Sequence, residues 1–244
     1  CMLGKYVRVR VERPMGWHDV ETGTVYRLNY GSVESGLDPR SPVKGAYIMG
    51  VTHPVRNFEG RVVAVIKLPD RQGIYIVVSP KSKKYIVNDI KRAVSFMYKD
   101  GEYTIDCLYE RSCGAVVFRF INGERRFLLI KNKRSCHWGF PKGHVEKDET
   151  DEETAKREVL EETGIHIKIF PGFKHKSEYT IRGRIEKSVL IFLATTDDTQ
   201  TVIQPEEIED YIWLGYDNAI STLNYPNDKD ILSLAKAYIT KNNI

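Results

Sequence analysis

Apolar and polar residues alternate along short runs in the first part of the chain. In residues 5–12, three valines alternate with two arginines, which is the period of a strand with one buried face. Further β-rich runs lie at residues 45–51, 61–68, 73–79 and 103–108, with turn-forming residues between them. A helical period covers only residues 87–98, where Asn88 is the expected N-cap. Short strands and a single helix predict a small β-barrel domain over residues 1–110.

The pattern changes after Cys113. Two apolar runs, residues 114–120 and 126–130, flank Asn122-Gly123, a dipeptide that is typical of a β-hairpin turn. Later runs predict strands at residues 165–170, 177–182, 187–196 and 211–214, and an amphipathic terminal helix at residues 228–240. Strands framing two helices predict an α/β fold over residues 111–244, with a mixed sheet sandwiched between helices.

The other helix, which precedes the terminal one, lies within residues 143–165 and is rich in carboxylates. Thr150 is a candidate N-cap, Glu153 completes a capping box three residues later, and Gly164 stands where a left-handed residue ends a helix. Between these signals, three glutamates lie at positions i, i+3 and i+4, which places them within an arc of about 100° on one helix face. They are Glu158, Glu161 and Glu162.

Three adjacent carboxylates raise one another's pKa values unless a cation lies among them. Oxygen-only ligands of high charge suit Mg²⁺ or Mn²⁺ better than zinc, and Mg²⁺ is commonly bound by carboxylates together with substrate phosphates. The alternative is a solvated acidic helix face, which is what most glutamate-rich helices are. Flanking glycines and an arginine inside the run, Arg157, favour the metal site.

The whole stretch resembles the Nudix signature. Its fixed positions are occupied here by Gly143, Glu149, Arg157, Glu158, Val159, Glu161, Glu162, Gly164 and Ile165. The resemblance implies an α/β/α sandwich that hydrolyses a nucleoside diphosphate linked to another group. It assigns the three glutamates to metal binding and catalysis, with the Gly143 carbonyl as a further ligand. Glu149 and Arg157 are interpreted as a structural ion pair, with a catalytic Glu149 as the alternative.

The flanking residues are similar to the asymmetric dinucleoside tetraphosphatases. The similarity lies in residues 137–146, His-Trp-Gly-Phe-Pro-Lys-Gly-His-Val-Glu, in residues 172–174, and in residues 187–194. It implies that four residues contact the polyphosphate, namely His137, Lys142, Tyr179 and Lys187. It also implies that Glu207 is an additional metal ligand or base, and that Tyr225 is one of the rings that hold adenine.

Each of these assignments has a simpler alternative. Isolated lysines are usually solvated, and a loop histidine such as His137 is often only exposed. Tyr179 and Tyr225 have the alternative of covering the sheet or a helix, and for Tyr225 the residues by themselves favour that alternative. Glu207 lies in an acidic run, residues 206–210, in which the register is open by one or two residues.

The first domain loosely resembles soluble inorganic pyrophosphatases, through residues 12–14 and the run Tyr-Arg-Leu-Asn-Tyr-Gly at residues 26–31. That family binds its metals with closely spaced aspartates, whereas residues 36–44 contain a single acid, Asp38. One carboxylate cannot assemble a multi-metal centre. We therefore expect a barrel without catalysis, used for packing, for dimerisation or for placing the far end of a substrate. An unrelated small barrel is the alternative.

Composition restricts the partners only mildly. The net charge of +4, with both signs interspersed, does not demand nucleic acid. No run approaches the length of a membrane helix and no signal peptide is apparent, so we expect no membrane partner. Four cysteines without metal-ligand spacing are typical of reduced thiols, which predicts a cytoplasmic location.

The combined prediction is a Mg²⁺-dependent Nudix hydrolase that cleaves diadenosine tetraphosphate to ATP and AMP by attack of water on phosphorus. Two alternatives remain open. One is a pyrophosphohydrolase that acts on the 5′ end of RNA, or another nucleoside-diphosphate-linked substrate. The other is a catalytically silent module that senses nucleotides.

Overall fold

A computed structural model describes residues 1–69, 73–146 and 148–244. The chain forms two compact units. The first contains Cys1–Glu110 and Tyr179–Lys187, and the second contains Arg111–Glu178 and Ser188–Ile244. The domain boundary at residues 110 and 111 stays a prediction. All four cysteines are free. Among the described residues, no helix has the length and apolar character needed to cross a bilayer.

The first unit is built around a five-stranded closed barrel. Its elements are β1 (Tyr6–Arg13), β2 (Asn29–Ser35), β3 (Val43–Ile48), β4 (Asn57–Leu68), β5 (Gly73–Ser79), α1 (Val87–Ala93) and β6 (Thr104–Cys107). The strand order is β1-β2-β3-β5-β4-β6, and an additional pairing of β1 with β4 closes the barrel. Alternation in β1 sends Val7 and Val9 into the core. The barrel prediction is confirmed.

The helix of this unit differs from its prediction. It ends at Ala93 rather than near residue 98, and its N-cap is Ile86 instead of Asn88. The side chain of Asp89 accepts the Ile86 N–H at 3.0 Å, which satisfies a free donor at the helix start. This contact moves the first turn toward the N-terminus. The sequence pattern did not predict strand β2.

The second unit is a mixed sheet with helices against it. Its elements are β7 (Tyr109–Ile121), β8 (Glu124–Asn132), β9 (Trp138–Gly139), β10 (Lys142–His144), α2 (Asp151–Thr163), β11 (Lys168–Ile181), β12 (Ile185–Thr195), β13 (Ile208–Leu214), α3 (Tyr216–Thr222) and α4 (Pro226–Lys241). The order is β11-β12-β7-β8-β13, while β10 pairs with β7 and β9 pairs with β8. The core joins sheet residues such as Phe118 and Leu129 to Ile231 and Leu232 of α4.

The hairpin turn predicted at Asn122-Gly123 is present. Both residues have positive φ, 51° and 81°, as a tight turn between twisted strands requires. In contrast, β11 runs without a break where the sequence predicts two shorter strands. The expected break contains Pro171, which lacks a backbone N–H. Because β11 is the edge of the sheet, proline removes no essential ladder bond there.

Candidate active site

Local signals position α2 as the sequence predicts. The Thr150 side chain accepts the Glu153 N–H at 3.2 Å, and the Glu153 carboxylate accepts the Thr150 N–H at 3.2 Å. Gly164 ends the helix in the left-handed conformation, at a φ of 69°. The two ends of α2 are therefore set by side-chain and backbone chemistry within the helix sequence itself.

The three glutamates of this helix differ in burial. Glu162 is 4% exposed and Glu158 is 9% exposed, whereas the Glu161 side chain is half-exposed. Burial raises the pKa of Glu162 to about 9, and the charges of Glu158 and Glu207 add to this effect. Burial also raises the pKa of Glu158, with further contributions from Glu161 and Glu207. The protein holds repelling carboxylates in a poorly solvated place, which is the environment that a cation relieves.

The segment before the helix lies directly on these carboxylates. The backbone N–H of Lys142 donates to Glu162 Oε2 at 3.2 Å. A Cβ at Gly143 would overlap the carboxylate of Glu158, so a larger residue there would displace that carboxylate. Strand β10 holds this segment in place by pairing Gly143 with Cys113 of β7.

Arg157 forms the predicted pair with Glu149. Its Nε donates to Glu149 Oε2 at 2.6 Å and its Nη2 donates to Oε1 at 3.0 Å. The same Nη2 donates to the carbonyl of His144 at 2.8 Å, which ties the loop to the helix. Hydrogen bonds from Arg157, and from Thr154 and the Glu146 N–H, lower the pKa of Glu149. The geometry is the bidentate fork that arginine and carboxylate favour.

Arg157 also contacts two of the proposed metal ligands, which the sequence did not predict. Its Nη1 donates to Glu158 at 2.8 Å and to Glu161 at 3.1 Å. Within the described residues, no three His, Cys, Asp or Glu side chains converge on one point where an ion could sit. The donor set, with only carboxylate and carbonyl oxygens, fits a hard divalent cation. Coordination by both glutamates would have to replace the Nη1 contacts.

A loop beside the end of α2 brings Glu207 near this cluster. The N–H groups of Val202 and Gln204 donate to the carbonyls of Thr163 and Glu162, at 2.9 and 3.2 Å. Glu207 follows on this loop, and its charge raises the pKa values of both Glu158 and Glu162. The neighbouring Glu209 pairs instead with Lys131, at 3.8 Å. The structure thus brings the acid at position 207 toward the helix.

Apart from Lys142, the predicted nucleotide residues fall into two groups. His137 and Tyr225 lie together: His137 Nδ1 and the Tyr225 hydroxyl share a hydrogen bond of 2.5 Å, and their rings meet edge to face. Tyr179 and Lys187 lie on β11 and β12, in the segment that belongs to the first compact unit. The structure therefore groups them with the barrel unit and not with the unit that contains α2.

The sequence did not identify one acidic residue as a candidate for the site. Asp228, in the first turn of α4, is 8% exposed, and burial raises its pKa against the opposing charge of Lys142. The sequence pattern predicted only that Asp228 begins an amphipathic helix. An acid in a first helical turn is common because the helix dipole favours it, so its burial carried no sequence signal.

Comparisons with known proteins agree with this geometry. Residues 111–235 match the NUDIX domain. The mouse asymmetrical bis(5′-nucleosyl)-tetraphosphatase is 35% identical over 133 residues, which cover 50% of this chain and 90% of the mouse protein. The mRNA-decapping enzyme subunit 2 of Arabidopsis thaliana is 31% identical over 93 residues, 38% of this chain and 25% of that protein.

Among solved structures, a C. elegans Ap4A hydrolase binary complex is similar with a TM-score of 0.51 and 26% identity, covering 54% of this chain and 98% of that one. The domain match spans about half of the chain, from the strand that begins the second unit into α4. This chain therefore belongs to the Nudix family and is an enzyme that acts on pyrophosphate bonds.

Proposed function

We propose that this enzyme is a Mg²⁺-dependent hydrolase of diadenosine polyphosphates, which cleaves diadenosine tetraphosphate to ATP and AMP by attack of water on a phosphorus. The observation that carries the proposal is the set of repelling carboxylates, Glu158, Glu162 and Glu207, of which the first two are buried. The printed name of the mouse relative, an asymmetrical tetraphosphatase, supports this choice of substrate.

In this proposal Glu158, Glu161 and Glu162 hold Mg²⁺ or Mn²⁺, together with the Gly143 carbonyl. When bound, the ion would neutralise phosphate charge and acidify water. Glu207 is the further ligand or the base. It lies on the loop beside the end of α2, which follows β12 in the sequence. The side chain of Arg157 retains Glu149 through two hydrogen bonds, so it stays anchored when it gives up Glu158 and Glu161.

The substrate is held by other side chains in this proposal. Lys142 begins β10, and its charge acts on both Glu162 and Asp228. Its ammonium group thus lies beside the carboxylates, where it would contact a polyphosphate. His137, Tyr179 and Lys187 are the further polyphosphate contacts. Tyr225, which is exposed, offers its ring to the adenine. Glu149 and Arg157 serve as scaffold, because both oxygens of Glu149 are already occupied by hydrogen bonds.

A second candidate is hydrolysis at the 5′ end of RNA, which the printed name of the decapping relative favours. This activity needs one nucleoside in the pocket and shares the carboxylate cluster. A silent sensing module is not supported, because the family assignment is that of an enzyme. The pyrophosphatase resemblance of the first domain, its use in dimerisation and a cytoplasmic location stay predictions.

The test incubates the full chain with diadenosine tetraphosphate and with 5′-triphosphorylated RNA, each with Mg²⁺, Mn²⁺ or EDTA, and separates the products by chromatography. We expect equimolar ATP and AMP in Mg²⁺ and no product in EDTA. Incorporation of ¹⁸O from labelled water into one product locates the attacked phosphorus. Release of pyrophosphate from RNA, with the dinucleotide left intact, would select the second candidate.

A further inference from the structure

Residues 224–228 are the end of the connection between α3 and α4 and the first turn of α4, and they contact β9, the residue before it, and β11. We call this stretch the clamp segment. Asn224 accepts the Trp138 N–H at 2.6 Å, Tyr225 shares a hydrogen bond with His137, and Asn227 donates to Ser177 of β11 at 3.0 Å. Asp228 lies so near β9 that a Cβ at Gly139 would be in contact with its Oδ2, at 3.4 Å. Each residue of the segment except Pro226 thus lies against β9, His137 or β11.

Asp228 differs from Asn224, Tyr225 and Asn227 because its side chain makes no hydrogen bond within the described residues. Within the described parts of the chain, its carboxylate accepts no hydrogen bond and joins no ion pair, and its one electrostatic partner is Lys142. No capping box with Asp228 forms at the start of α4 either, a helix that the structure describes throughout.

Asp228 is 8% exposed as a residue, yet its carboxylate oxygens are not among the buried polar atoms that lack a hydrogen-bond partner in the described residues. What remains accessible of this side chain is therefore its acceptor group. A mostly buried acid whose oxygens still reach the surface is placed to accept a hydrogen bond from a ligand donor.

We propose that Asp228 accepts a hydrogen bond from the amino group of the nucleobase that lies against Tyr225, and that it thereby selects adenine over a purine without that group. This inference rests on the proposed function, because it concerns the nucleoside of the same substrate. It adds a specificity residue that polyphosphate chemistry does not require.

The placement of Asp228 supports this role. His137 lies immediately before β9 and Gly139 ends it. His137 shares a hydrogen bond with Tyr225, and a Cβ at Gly139 would contact Asp228. Residues two apart in extended chain share a face, so Tyr225 and Asp228 lie along the same side of this segment. A base held at the two rings would therefore have its edge near Gly139, where the absence of a side chain leaves the carboxylate uncovered. An ionised carboxylate only accepts hydrogen bonds, so it matches the N6 amino group of adenine, and a charge-assisted bond of this kind is stronger than a neutral one.

The test is titration calorimetry of the full chain with nucleoside monophosphates, which have no anhydride bond to cleave. The probes are AMP, purine riboside 5′-monophosphate, which lacks the amino group, and 3′-deoxy-AMP, which lacks a ribose donor. The variants are Asp228→Ala, which removes the acceptor, and Asp228→Asn, which keeps a neutral one. Asp230→Asn is the matched control, because Asp230 is an exposed acid on the same helix.

We expect wild type and Asp230→Asn to bind AMP about tenfold more tightly than the purine analogue. The preference should disappear in Asp228→Ala and be intermediate in Asp228→Asn. Because the unliganded protein no longer buries a free charge, Asp228→Asn should also melt at a higher temperature than wild type at pH 8. This combination of higher stability and lost discrimination is not expected of a merely structural acid.

Two results would overturn the inference while the proposed function stands. The first is an enzyme that hydrolyses diadenosine tetraphosphate but binds AMP and the purine analogue equally. The second is loss of affinity in Asp228→Ala that appears with AMP and not with 3′-deoxy-AMP, which would assign the carboxylate to the ribose. An enzyme that hydrolyses no nucleotide polyphosphate would instead count against the proposed function itself.

Discussion

Gly143 lies so close to Glu158 that a Cβ at residue 143 would overlap the glutamate carboxylate. Gly143→Ala therefore forces either the loop or Glu158 to move. We expect a loss of about 1 kcal/mol in the free energy of unfolding, the lower end for overpacking, because the overlap is with the end of a flexible side chain. Turnover should fall by about 100-fold, because the carboxylate is displaced by roughly an ångström. Chemical denaturation and steady-state kinetics measure the two effects. Native activity in Gly143→Ala would mean that Glu158 is not part of the reacting centre.

Glu162→Gln removes a charge without changing side-chain volume. If Glu162 holds the metal, turnover should fall by about 100-fold or more, while the fold is kept. Glu206→Gln is the control, since Glu206 is an exposed acid on the nearby loop. Activity in a series of Mg²⁺ concentrations checks the role. A variant with wild-type kcat and wild-type metal dependence would place the cation elsewhere.

The raised pKa of Glu162 also predicts how stability depends on pH in EDTA. A glutamate in the unfolded chain titrates near about 4.3, whereas burial raises the pKa of folded Glu162 to about 9. Between these values the folded state binds more protons, so this group makes stability fall as pH rises. The melting temperature of Glu162→Gln should therefore exceed that of wild type by an amount that is larger at pH 8 than at pH 5. A constant difference across this range would contradict the assignment.

Glu149→Gln tests the structural role of the ion pair. The lowered pKa of Glu149 means that its stabilisation is present above the unfolded value and is lost as pH falls through the folded value. At pH 7 we expect a loss of about 1.5–3 kcal/mol in unfolding free energy, which is usual for a hydrogen-bonded charged group, with kcat changed far less. Urea denaturation and kinetics at saturating substrate separate the two. Unchanged stability with abolished turnover would favour a catalytic Glu149 instead.

Tyr225 has two separable features, its ring and its hydroxyl. Tyr225→Phe removes only the hydrogen bond to His137, so KM should change little. Tyr225→Ala removes the stacking surface and should raise KM about tenfold or more, since stacking of a base on an aromatic ring contributes about 1–3 kcal/mol. The ratio of the two KM values is the measurement. Equal KM values in both variants would show that the ring only covers the protein surface.

Short-range chemistry explains what could be predicted about α2. Thr150 and Gly164 set its ends, and three-residue and four-residue spacing sets which glutamates share a face. These relations are contained within about twenty consecutive residues, so they do not depend on the rest of the fold. The hairpin at Asn122-Gly123 was predictable for the same reason.

Two features were not predicted, and only the second depends on long-range packing. Arg157 reaches Glu158 and Glu161 as well as Glu149, because a single guanidinium has more donors than one carboxylate can accept. The continuity of β11 depends on its place at a sheet edge, which strand order and not local composition determines.

The sequence by itself determined the family, the acidic helix and the residues proposed for the reacting centre, because a motif of fixed spacing encodes its own local geometry. Only the tertiary structure decided which carboxylates are buried, since the burial of Glu162 and Asp228 depends on segments distant in the chain. It also decided that Tyr179 and Lys187 belong to the barrel unit. Burial and grouping arise from contacts between separate elements, and one-dimensional patterns record those contacts poorly.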